Sequence, residues 1–223
     1  MPMTNRQPPG TPVGGQFAEG RKPDGDDLLD AATSYAAKRP PSITYDFGEG
    51  LVPAHRHTNG GGWVANTAFV SDAAFIGPDA KVCDKAVVVG HARIIGHAII
   101  SDEASINDYA LVSDAVVRDS AVVQDNARVL DRSVVGGEAC VSDFATVRGD
   151  CEVSDEAEVR EYANVFGRAV VQGQSAISGN AVVCDNVQVF GSVSGNAVVR
   201  GRATVFGIVN GDQIVEGDST IPE

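Results

Sequence analysis

Aromatic side chains are scarce in this chain, 6% of 223 residues with a single tryptophan, so small aliphatic residues must fill its core. No run of about 18 apolar residues occurs, and no basic-then-apolar leader opens the chain. Neither a membrane span nor export is therefore expected, and a cytoplasmic location is. Positive charge is in deficit, with 17 Lys and Arg against 30 Asp and Glu and a net charge of −13. Such a surface repels polyphosphates, so neither nucleic acid nor an anionic membrane is expected as a partner. The four cysteines, Cys83, Cys140, Cys151 and Cys184, stand far apart without a CxxC pair. That spacing disfavours a zinc site and a disulfide framework, and the cysteines are read as reduced thiols. No metal and no cofactor is expected.

What the chain has in abundance is one phrase, Ala-x-Val-x-[Asp/Gly]-x, seen plainly from Ala139 to Asp150 and running from Ala68 to about Val209. One residue drops out before Ala115 and two near Ser192-Val193, and Ser133, Cys151 and Ser175 take the small position, giving 23 units in all. Within a unit the small residue and the Val or Ile are two apart, so on a strand both point to one face. The Asp or Gly that follows tolerates turn geometry that β-branched residues resist. Six residues thus make a side and a corner, and three sides close a coil of about 18 residues that stacks on its neighbours at roughly 4.8 Å. The expected fold is all-β, a parallel β-helix of about seven to eight triangular coils over residues 67–209.

The flanks lack the period. Residues 1–24 are rich in Gly and Pro and are expected as an extended or disordered tail. Residues 25–66 are expected to form a short helix, between Asp24 and Lys38, and then an irregular N-terminal cap. Residues 210–223 turn polar and are read as a C-terminal cap or tail that blocks coil-on-coil growth.

The repeat resembles the hexapeptide-repeat left-handed parallel β-helices. It is more closely similar to a bacterial YdcK-like group, through Gly179-Asn-Ala181-Val-Val, Gly195-Asn-Ala197-Val-Val, Asp46-Phe-Gly and Gly61-Gly62-Trp63-Val64. The resemblance implies left-handed coils and carries no active site with it. Separately, Gly10-Thr-Pro-Val-Gly-Gly-Gln-Phe-Ala18 resembles an N-terminal segment of actinobacterial phage and mobile-element proteins.

Hexapeptide-repeat acyltransferases work with a catalytic histidine and a loop that leaves the coils. Here His91 and His97 follow corner glycines six residues apart, and no long insertion interrupts Ala68 to Val189. Both are read as solvated turn residues, and His55-Arg56-His57 beside Gly60-Gly61-Gly62 as a solvated loop. No catalytic residue is assigned. Wound by threes, one corner carries Asp108, Asp125, Asp143 and Glu161 in consecutive coils, and another carries Asp84, Asp102 and Asp119. These ridges form one candidate interaction surface. Outward apolar positions form the other: Ile99, Val116 and Val134 in successive coils, with Phe166 and Phe190 towards the C-terminal half. The favoured reading is a non-catalytic rigid solenoid that serves as scaffold or protein-binding module, associated with a phage or mobile element and assembled as a dimer or trimer. The alternatives are an acyltransferase-like enzyme and an acidic nucleic-acid mimic that inhibits a DNA-handling protein.

Overall fold

In the computed structural model, which describes residues 43–223, each six-residue unit becomes one short strand and one corner. The unit from Ala104 to Tyr109 shows how. Ala104 and Ile106 point inward and are fully buried, while Ser105 faces outward. Ser105, Asn107 and Tyr109 each donate a backbone N–H to the next coil, to the carbonyls of Ala121, Val123 and Asp125, all at 2.9 Å. The N–H of Ala110 turns back to the Asn107 carbonyl at 3.2 Å and closes the corner, where Asp108 adopts a φ of 57°. Aspartate tolerates that left-handed backbone better than most residues, which is why it recurs there.

The units stack into three parallel sheets. The first face runs from Trp63–Ala65 through Lys81–Val82 to Thr220–Ile221, the second from Phe69–Val70 to Ile208–Val209, and the third from Phe75–Ile76 to Ile214–Val215. The second and third faces hold nine strands each, so there are nine coils rather than seven or eight. Inside them the inward Ala and Val or Ile form one continuous core, and each buried Val contributes roughly 1.5–3 kcal/mol. Cross-coil register is regular: Val116 pairs with Ile99 below and Val134 above. Where a residue is missing before Ala115, the Asp114 side chain fills the gap and accepts the His97 backbone N–H at 2.9 Å.

The extra coils lie at the two ends. Ahead of Ala68, Gly62 takes the small position and Trp63–Ala65 is already the first strand of the stack. Past Val209, Ile214–Val215 and Thr220–Ile221 pair with the coil before them, so the stretch read as a cap or tail supplies two more strands. Its small position holds Gln213, which is exposed. Among the described residues no further strand pairs with Ile214–Val215 on that face, so the demand for a small residue lapses there.

At the start, β1 (Ile43–Asp46) and β2 (Leu51–Arg56) pair antiparallel and cover the edge of β3 (Trp63–Ala65). Tyr45 stacks on Trp63 with ring centroids 4.1 Å apart, and the Arg56 guanidinium lies 4.1 Å from the same ring. Arg56 also donates to the carbonyls of Gly61 and Pro78. The segment His55-Arg56-His57 is therefore not a solvated loop: Arg56 ties down the cap and His57 is buried. The expected tail over 1–24 and the helix between Asp24 and Lys38 lie outside the described residues. Among the described residues no helix is long and apolar enough to cross a membrane.

Candidate interaction surface on the second edge

The edge between the second and third faces gathers the acidic ridge read from the sequence. Asp108, Asp125, Asp143 and Glu161 all occupy the left-handed corner position, in consecutive coils. Their carboxylates point along the stack rather than outward. Asp125 accepts the backbone N–H of Asp143 at 3.2 Å, Asp143 that of Glu161 at 3.0 Å, and Glu161 that of Gly179 at 2.7 Å. Each acid therefore caps a donor that the corner geometry turns away from the strand ladder. The ridge on the first edge works alike: Asp84, Asp102 and Asp119 cap Asp102, Asp119 and Gly137.

The side chain after each left-handed corner of the second edge takes no part in the core, and here the chain places three of its four most exposed Phe and Tyr rings, Phe69 on the second face being the other. Tyr109 is 64% exposed, Phe144 53% and Tyr162 59%. His91 stacks on Tyr109 with centroids 5.3 Å apart, and Phe144 on Tyr162 at 5.2 Å with planes 5° from parallel. Asn126 stands between the two pairs. The ring column adjoins six carboxylates, those of Asp72, Asp108, Asp125, Asp143, Glu161 and Asp212, and one cation, Arg160, which opens the corner before Glu161 and lies 3.6 Å from the Glu158 carboxylate. Reading the sequence for inward positions missed these rings. The signal is present at intervals of about 18 residues, one place beyond each corner residue of that edge.

The apolar candidates do not converge. Ile99, Val116 and Val134 form a column on the first face but are only half-exposed. Phe166 lies on the third face with the Arg148 guanidinium 4.9 Å from its ring, and Phe190 sits on the first edge stacked on Phe206 at 5.1 Å. These residues mark three separate places on the solenoid.

Chemistry elsewhere is subdued. The His97 ring faces the Asp114 carboxylate at 3.4 Å, and the His97 backbone N–H, with the Ser113 hydroxyl, holds that carboxyl below its usual range. All four cysteines are free. Burial, with Asp84 alongside, pushes the Cys83 thiol up to about 12, and burial pushes Cys151 to about 11, so neither supplies a thiolate near neutrality. Among the described residues no group of three or more His, Cys, Asp or Glu is placed to hold a metal ion.

Comparison with known proteins accords with this architecture. No curated protein and no solved structure is significantly similar to the chain. Residues 58–165, just under half of it and including Tyr109, Phe144 and Tyr162, match the family model of the GMPPB C-terminal domain. The chain is similar over that stretch to a domain of the hexapeptide-repeat type, in keeping with its nine-coil parallel solenoid.

Proposed function

We propose that this protein is a non-catalytic rigid rod that binds other protein, and that the second edge is its contact surface. The observation that supports this most is the exposure of Tyr109, Phe144 and Tyr162 in a molecule whose inward side chains are buried but for a few at the two ends. Exposed rings on a stiff frame leave apolar area in water, and burying them against a partner recovers it without ordering a flexible loop. Aromatic residues also dominate the energetics of protein interfaces. A cytoplasmic, self-associating rod belongs to this reading. So do a left-handed coil and kinship with the YdcK-like group, supported by Gly179-Asn-Ala181-Val-Val, and an origin in a phage or mobile element, supported by Gly10 to Ala18.

Titration with acetyl-CoA in a calorimeter tests the non-catalytic part. Heats no larger than dilution are expected, and a saturable signal would replace this reading with acyl transfer. A second reading, an acidic mimic that occupies the basic groove of a DNA-handling protein, is favoured by one observation. Four consecutive coils, from Asp108 to Glu161, each present a carboxylate on the same edge, at roughly 4.8 Å intervals.

A further inference from the structure

We propose that the second edge of one molecule seats on the third face of another copy of the same chain. The proposal rests on the reading of that edge as a contact surface and names what covers it. The carboxylates of the coils sit almost wholly at the corners, where the turns demand them, whereas the arginines concentrate on the third face. Its outward positions carry Arg93, Arg128, Arg148 and Arg200, and their only carboxylate is Glu216 in the last coil, which Arg200 already engages. Among the described residues Arg93, Arg128 and Arg148 pair with no carboxylate. Two of them lie instead over rings, Arg93 at 5.8 Å from Phe75 and Arg148 at 4.9 Å from Phe166. In a chain of net charge −13 this is a cationic, partly apolar face beside an edge of six carboxylates and exposed rings.

The two surfaces match in more than sign. Arg93 and Arg128 lie two coils apart in one column of the third face, and the carboxylates from Asp108 to Glu161 stand in consecutive coils, so a register that sets one of these arginines against a carboxylate sets the other against a second, about 9.6 Å along. Guanidinium groups bind carboxylates and also stack on aromatic faces, and the edge offers both. The break at Asn126 separates Tyr109 from Phe144 by two strand spacings, roughly 9.6 Å, which leaves room for one guanidinium between the ring pairs. A face nine strands long extends about 43 Å, so an edge laid along it can meet it over many coils.

Like-on-like pairing fails on the same grounds. Third face on third face opposes arginine to arginine, and edge on edge opposes carboxylate to carboxylate. The contact is therefore heterologous, with each molecule carrying one donor edge and one acceptor face.

That asymmetry supplies the test. A face variant carries Arg93→Glu and Arg128→Glu. An edge variant carries Asp108→Asn, Asp125→Asn and Asp143→Asn, because Asn tolerates the left-handed corner and keeps an oxygen for the next coil's N–H. By light scattering at micromolar concentration, the natural chain is expected to show the mass of two chains or more. Each variant alone should fall to one chain, a loss of at least about tenfold in affinity. Mixed, the two variants should form a one-to-one pair, since the intact edge of the first meets the intact face of the second. A monomeric natural chain, a variant that keeps the natural mass, or a mixture that stays monomeric would each overturn the proposal. Thermal melting confirms that the variants are folded; if the edge variant is not, Tyr109→Ser with Phe144→Ser replaces it under the same expectations. A monomeric natural chain would leave the rod reading standing, whereas acetyl-CoA binding would remove that reading whatever the masses showed.

Discussion

The inward ladder of small residues sets the terms on which a single side chain acts. Ser133, Cys151 and Ser175 stand where Ala is the rule, and all three are buried. Ser133 donates its hydroxyl to the Leu130 carbonyl at 2.7 Å, and the Cys151 thiol reaches the Arg148 carbonyl at 3.0 Å. The Ser175 Oγ finds no protein partner. A buried hydroxyl without a hydrogen bond costs about 1–3 kcal/mol, whereas a satisfied one contributes about 1. The same substitution should therefore act with opposite signs at two equivalent places. Ser175→Ala is expected to raise unfolding stability by about 1 kcal/mol and Ser133→Ala to lower it by about as much, measured by chemical denaturation. Equal losses at both sites would show that Ser175 is satisfied after all.

At the scale of the element, the corner decides what is tolerated. Most corners spend several residues on the turn, but Gln188–Val189 and Ser192–Val193 are joined by Phe190 and Gly191 alone. A Cβ on Gly191 would stand 2.1 Å from the Gly207 carbonyl oxygen and 2.3 Å from that of Phe206. Both contacts are backbone, so Gly191→Ala must push two coils apart, at a cost of about 3 kcal/mol or more. Gly173 is the contrast: its φ is +71° and nothing lies within 4 Å of the added atom. Gly173→Ala meets only the backbone preference, about 1–2 kcal/mol. Thermal unfolding of the two variants should rank them in that order, and an equal effect would mean that the short corner relaxes without resistance.

The same corners explain what could be read ahead of the structure. Alternation of Ala and Val reveals the core and the three-sided winding, because period two on a strand leaves few other arrangements. The ridges at Asp108, Asp125, Asp143 and Glu161 follow by counting. The strands after Gly62, Gly191 and Gly207 escape that reading because glycine, a turn signal elsewhere, takes the small inward position there. Carboxylates that turn along the stack to cap the next coil leave no mark in the sequence. The exposed ring column is legible only after winding, since the fold asks nothing of the side chain that follows each corner.

For the whole molecule the open question is which electrostatic effect governs stability in acid. Some carboxyls are held low by their partners: Asp46 by the N–H groups of Gly48 and Gly50, Glu103 by Lys85, Asp114 by the His97 N–H, and Asp150 by Arg132. A group whose folded pKa lies below its unfolded value stabilises the fold fully above the unfolded value, about 4, and loses that contribution as pH falls through the folded one. Against this stands repulsion along edges where carboxylates follow one another coil by coil, which protonation would relieve. The exposed position of these charges and screening over about 8 Å at physiological salt weaken that repulsion. The hydrogen bonds and ion pairs that hold Asp46, Glu103, Asp114 and Asp150 are contacts and are screened less. Once the 30 carboxylates are neutral, the 17 Lys and Arg also remain uncompensated, which adds repulsion of the opposite sign. The unfolding midpoint is therefore expected to stay level from about pH 8 to pH 5 and to fall below about pH 4, followed by circular dichroism at constant ionic strength. A midpoint that climbs as pH drops from 6 to 4 would show instead that repulsion along the acidic edges, and not the partners of Asp46, Glu103, Asp114 and Asp150, governs the stability of the rod in acid.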